Sequence, residues 1–279
     1  MKKGDENLRF LCCNFFSKNR GGQITIFVIA AVLIVAIVGL FFLFRTGLIE
    51  NLGIGGNKET NVNEFFSLCI EDKVKEGIEE ISLVGGYPSS ELYVKFLFTE
   101  ENAARNIPYL CYTQNNFRPC VVQKPTLFVD FQDEEKNFIS SDIGSCFSEM
   151  KNSFRKNGFE VSSESVLNDF DVKFMPDRVV VKTDSKIVLT KADETTTREN
   201  FEIQVPSDIY ALLGIAQEIV NSQAQFCYFE ETGFQVTYPD YSIEKHLIDS
   251  GNMIYTIENK KTEEKFRFAV RSCAIPAGF

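Results

Sequence analysis

The order of apolar and polar positions divides the chain into one uniformly apolar stretch and a long remainder of mixed periodicity. From Ile24 to Phe44 no residue is charged. At 1.5 Å rise per residue this run reaches about 31 Å, the thickness of a bilayer's hydrocarbon core. An element that is apolar all round needs an apolar environment all round, so the run predicts a transmembrane helix. A cleaved secretory signal would have a shorter apolar region and a small-residue site after it, whereas Arg45-Thr-Gly-Leu comes next.

Beyond the span the pattern is that of a folded domain. Asn51-Leu-Gly-Ile-Gly-Gly-Asn57 reads as a flexible tether. Phe66, Ile70, Val74, Ile78 and Ile81 then recur at helical spacing, predicting a helix over 62–84 that stops at Gly85-Gly86. Strands are expected over 91–98 and 108–113. A second helix starting near Ser140, Ser141 or Asp142 carries Ile143, Phe147, Met150 and Phe154 on one face and ends at Gly158. The β-rich runs 171–175, 178–183 and 186–190 follow, with Asp184-Ser185 as a tight turn and 201–205 as a pairing partner. Ser207-Asp208 caps a third helix to about Gln223, buried through Ile209, Leu212, Leu213, Ala216 and Ile219 or Val220. Runs 233–238, 253–258 and 265–270 predict further strands, the last two joined by the polar turn 259–263. The expected fold class is α+β, a largely antiparallel sheet with about three helices, preceded by one N-terminal transmembrane helix. The corresponding domains are a basic tail (1–22), the transmembrane helix (23–45), a tether (46–60) and a domain over 61–279 that could hold two subdomains.

Charge orients this layout. Lys2, Lys3, Arg9, Lys18 and Arg20 precede the span, so the N-terminus is expected inside the cell and the domain outside. From position 46 onward there are 23 Lys and Arg against 37 Asp and Glu, a net charge of −14. Such a domain repels phosphate backbones, which excludes nucleic acid as a partner; membrane lipid, through the span, and a protein at the cell surface remain.

Of eight cysteines, Cys12 and Cys13 fall in the tail, and Cys69, Cys111, Cys120, Cys146, Cys227 and Cys273 fall in the domain. An even set without a CxxC pair, in an exported domain and beside a single histidine, predicts disulfides and no metal. Connectivity is open among 15 pairings. Cys111 and Cys120 flank a turn-like segment and suit a local pair, while Cys69 and Cys146 each fall on a predicted helix and could join the two.

Catalytic chemistry has little to draw on. His246 is the only histidine, and it is read as a surface residue, so a Ser or Cys triad lacks a base. No phosphate loop, calcium loop or His-Glu-x-x-His pair occurs, and no catalytic residue, cofactor or metal is assigned. The acidic runs 133–135, 230–231 and 263–264 are read as solvated turns. A carboxylate-pair hydrolase would need two such groups facing one another in a cleft.

Two resemblances add to this. Lys18, Arg20, Gly21, Gly22, Gln23, Ile24, Thr25, Ile26 and Phe27 resemble the head of archaeal class III prepilins, which are cut just before a glutamine; Gly22 and Gln23 match that junction. Phe27 stands where those pilins carry a glutamate used in assembly. The Gly-Gln-Ile-Thr-Ile-Phe head, the Cys69 helix ending Leu83-Val84-Gly85-Gly86-Tyr87, Cys146-Phe147 before Gly158-Phe159, and the Ile209-Tyr210 helix together resemble a family of uncharacterised archaeal single-pass membrane proteins. That likeness implies architecture and address, and assigns no residue a role. The expectation is a membrane-anchored extracytoplasmic binding or scaffolding protein that is not an enzyme, with a pilin-like subunit cut before Gln23, or a cell-surface hydrolase, as alternatives.

Overall fold

The computed structural model describes residues 61–249 and 251–276. The tail, the span, the tether and the Gly22–Gln23 junction lie outside the described residues. Among those described, no helix is long and apolar enough to cross a membrane.

Asn61 opens the domain by accepting the Asn63 N–H at 3.2 Å, which caps α1 (Val62–Ser82). Its apolar stripe is buried as the spacing predicts, with Phe66, Ile70 and Val74 fully inaccessible. The helix ends where Gly85 and Gly86 take positive φ: the Gly86 N–H donates to Ile81 O and the Gly85 N–H to Ser82 O, the paired bonds of a Schellman stop. Next come β1 (Tyr93–Phe96), β2 (Arg105–Tyr112) and the two-residue β3 (Val121–Val122).

The second helix, α2, spans Leu127–Lys156, thirteen residues earlier than the sequence suggests. Its stripe continues through Phe131, Glu135 and Ile139, all fully buried, and the glutamate in the middle hides the period. Its C-terminus repeats the Schellman geometry at Gly158, and the Phe154 and Phe159 rings close it at 5.7 Å.

Then follow β4 (Glu160–Val161), β5 (Val166–Met175), β6 (Arg178–Lys191), β7 (Glu194–Glu199) and β8 (Glu202–Pro206). The expected turn at Asp184-Ser185 is absent, and β6 runs through it as one strand. The alternation of buried positions Val179, Val181, Thr183, Ser185, Ile187 and Leu189 is unbroken, with two hydroxyls in apolar places that bond each other at 2.6 Å. The actual reversal is Ala192-Asp193, both at positive φ. It leads into β7, whose Thr-rich exposed sequence carries no burial signal.

The third helix, α3 (Ile209–Phe226), ends with Cys227 in the left-handed region. The predicted strand 233–238 is instead a fourth helix, α4 (Glu231–Thr237). Phe234 and Tyr238 sit one turn apart with rings 4.7 Å from each other, and Val236 points to solvent. The chain finishes with β9 (Tyr241–Leu247), β10 (Asn252–Asn259) and β11 (Lys265–Arg271).

The first sheet has the order β1-β2-β11-β10-β9, with β3 also beside β2; only β2–β11 is parallel. The second is built on β6, which pairs antiparallel with β4, β5, β7 and β8. The class is thus α+β with mostly antiparallel sheets and four helices among the described residues. Phe131 of α2 meets Phe174 of the second sheet at 5.3 Å and Phe266 of the first at 6.2 Å, so one core joins both sheets. All six cysteines of the domain are paired, as Cys69–Cys146, Cys111–Cys120 and Cys227–Cys273.

Candidate functional site

A concavity of about 870 Å³ opens where the C-terminal end of α1 meets the start of α3. The loop after β1 and the β10–β11 turn close its sides. A short apolar floor of Ile78, Leu83 and Ile209 lies beneath an acidic rim. That rim holds Glu79 from α1, Glu100 and Glu101 from the loop, Asp177 from the β5–β6 turn, Asp208 before α3, and Glu258, Glu263 and Glu264 around the last turn. Lys75, Lys265 and Arg267 are the cations that line it among the described residues. Arg105 on Glu101 and Arg178 on Asp177, at 2.9 and 3.0 Å, pair with two of its acids from behind, so the eight carboxylates still outnumber their neighbouring cations, and the concave walls focus that negative excess.

Two clusters shape this cleft. In the first, Arg267 lies on β11 with its side chain only 2% exposed. Its guanidinium covers the Phe98 ring at 3.7 Å, and its terminal nitrogens donate to Glu101 Oε1 and, at 2.6 Å, to Glu100 Oε1. A buried cation requires such paired carboxylates, and removing them would leave it uncompensated. Glu100 is held below the ordinary carboxylate range, first by its own backbone N–H and then by the charge of Arg267. Glu101 also accepts from Arg105 Nε at 2.9 Å.

In the second, the β10–β11 turn is fastened to the start of α3. The Asp208 N–H donates to Glu264 Oε2, while Asp208 Oδ2 accepts from the Asn259 amide and, at 3.5 Å, from the Thr262 hydroxyl. Burial raises the pKa of Glu264 and the Asp208 charge adds to the rise; the hydrogen bonds from the Asp208 backbone and Ser207 oppose it. Asp208 and Glu264 are thus both engaged in holding the turn, and Glu258 lies 3.8 Å from Lys265, which leaves Glu79 and Glu263 as the exposed, unengaged carboxylates of the rim.

The residues singled out in the sequence are distributed elsewhere. The three disulfides brace the domain away from this cleft: Cys69–Cys146 joins α1 to α2, Cys111–Cys120 closes the β2–β3 corner, and Cys227–Cys273 ties the end of α3 to the segment after β11. His246 is a half-exposed member of β9 packed on the Phe96 and Phe98 rings at 5.4 and 5.9 Å, with Glu244 Oε2 3.7 Å from its Nε2. It is built into an aromatic cluster instead of standing free on the surface.

The acidic runs read as solvated turns need correction. Asp133-Glu134-Glu135 lies within α2, and Glu135 is wholly inaccessible, with neither carboxyl oxygen hydrogen-bonded. Glu230 caps α4 and Glu231 pairs with Lys245 at 2.5 Å. Of Glu263-Glu264, the second is a half-buried anchor. Among the described residues, no group of three or more His, Cys, Asp or Glu side chains could hold a metal ion.

Sequence reasoning missed Arg267, although a signal was present: a lone arginine inside Phe266-Arg-Phe-Ala-Val270, an otherwise apolar strand, calls for a buried acidic partner. Comparisons with protein-family models, with curated proteins and with solved structures found no match to this chain.

Proposed function

We propose that the chain is a non-enzymatic binding protein, anchored by residues 23–45 and facing outward, whose acidic cleft seats a cationic group. The observation that carries the binding reading is the cleft itself, whose eight carboxylates outnumber the cations that line it and pair with it. Its two structural clusters hold the loop after β1 and the β10–β11 turn in place, so those sides are set before any ligand arrives. A ligand with separated positive charges, such as a polyamine or a Lys- or Arg-rich segment of a neighbouring surface protein, matches the exposed Glu79 and Glu263 on the rim.

The address is supported by the apolar run 24–44, by the basic tail that precedes it, and by the pairing of all six domain cysteines. The resemblance to archaeal single-pass membrane proteins is consistent with that address. The Gly22–Gln23 junction favours a second reading, a pilin-like subunit released by cutting before Gln23; the mass of the mature N-terminus separates the two, since an intact N-terminus leaves only the anchor.

The experiment is titration of the full chain in detergent with spermine, against the paired variant Glu79→Lys and Glu263→Lys. We expect saturable binding that weakens steeply with salt and falls at least ~10-fold in the variant, because rim charges act through a long-range, screened field. Equal affinity in both proteins, or no binding by the parent, overturns the cleft as the site.

A further inference from the structure

Glu135 has no part in the cleft or in the two clusters that shape it. It sits at a core position of α2, between Phe131 and Ile139, wholly inaccessible and without a hydrogen bond to either oxygen. A carboxyl in such a place stays neutral, and burial alone raises its pKa to about 9. The facing position on α1 is Gly77. A Cβ there would stand 2.6 Å from Glu135 Oε2 and 2.8 Å from the Phe138 ring, so the carboxyl occupies the space that a side chain on α1 would otherwise fill.

Charged groups on the elements around it pair with one another at the surface. On α1, Lys73 bonds Glu76 at 2.7 Å and Glu80 lies 3.6 Å from Arg105. On β5, Asp169 and Asp171 are 3.0 and 3.8 Å from Lys136. Before α3, Asp208 is taken by Asn259 and Thr262. None of these contributes to the state of Glu135. An ionised Glu135 therefore has no counter-charge while the helices stay closed, and is relieved only by water, through separation of α1 from α2.

The Cys69–Cys146 bridge lies two turns nearer the N-terminus of α1 and holds that end of the pair together. Opening is thus confined to the C-terminal half of α1, which is also one wall of the acidic cleft. We propose that Gly77 and Glu135 form a protonation-controlled latch: the neutral carboxyl keeps the C-terminal half of α1 docked on α2, and its ionisation accompanies a hinged opening about the Cys69–Cys146 bridge. The latch does not depend on any ligand of the cleft.

Hydrogen exchange of the full chain between pH 6 and pH 8, corrected for the intrinsic chemical rate, tests it. Because the open state releases one proton that the closed state keeps, protection of α1 amides around Gly77 should fall by about 10-fold per pH unit in the parent. In Glu135→Gln it should stay flat, and amides of β6 and β11 should remain more protected than those of α1 in both proteins. Glu135→Met serves the same purpose if the glutamine variant does not fold. Protection in α1 that ignores pH in the parent, an equal pH slope in the variant, or exchange of α1 only together with β6 and β11 would each overturn the latch.

Discussion

Single residues set the tightest constraints in this domain, and the two at the α1–α2 contact give the sharpest expectations. The pKa of Glu135 in the fold, about 9, lies above its ordinary value of 4.5. Its contribution to stability is accordingly complete below about pH 4.5, declines as pH rises, and is lost once pH passes about 9. Urea unfolding of the parent and of Glu135→Gln at several pH values should show a stability difference that changes by about 1.4 kcal/mol per pH unit across that window. A constant difference would mean that the carboxyl finds water or a partner in the fold. Gly77→Ala forces a methyl into the space the Glu135 carboxyl fills, and should cost about 1–3 kcal/mol by the same unfolding assay. These residues were not legible in the sequence. A glutamate inside Asp133-Glu134-Glu135 resembles any solvated charge, and only the burial of Phe131 and Ile139 on either side reveals its place. Arg267 was legible in principle, because a charge inside an apolar strand has few solutions.

At the scale of elements, amphipathic helices were the most readable feature. The stripe from Phe66 to Ile81 and the one from Ile209 to Val220 face the core as their spacing requires, and both glycine stops lie where the sequence puts them. The α4 segment misled because Phe234, Val236 and Tyr238 alternate like a strand, while the pair that packs is Phe234 with Tyr238, one helical turn apart. β6 misled for the opposite reason: Thr183 and Ser185 are polar yet buried, so a continuous strand looks interrupted. The disulfides make a graded prediction. Cys69–Cys146 spans 77 residues of chain and Cys111–Cys120 only 9. If loop closure in the unfolded chain governs their worth, Cys69→Ser with Cys146→Ser should destabilise the domain by about 2 kcal/mol more than the corresponding double change at 111 and 120. Equal losses in urea unfolding would mean that solvation or native-state geometry outweighs chain entropy.

Over the whole molecule, the organising feature is the separation of charge along the chain, basic before the apolar run and acidic after it. Eight of the domain's carboxylates line one concave cleft, and that gathering was beyond the sequence because it draws residues from α1, three loops and the last hairpin. The proposal that this cleft works outside the cell rests on the address, and the address can be measured. A protease added to intact cells, followed by blotting for the domain, tests it most directly. An outward-facing domain is cut into fragments on intact cells while the segment before Ile24 stays protected. A domain that survives on intact cells and is digested only after lysis would contradict it.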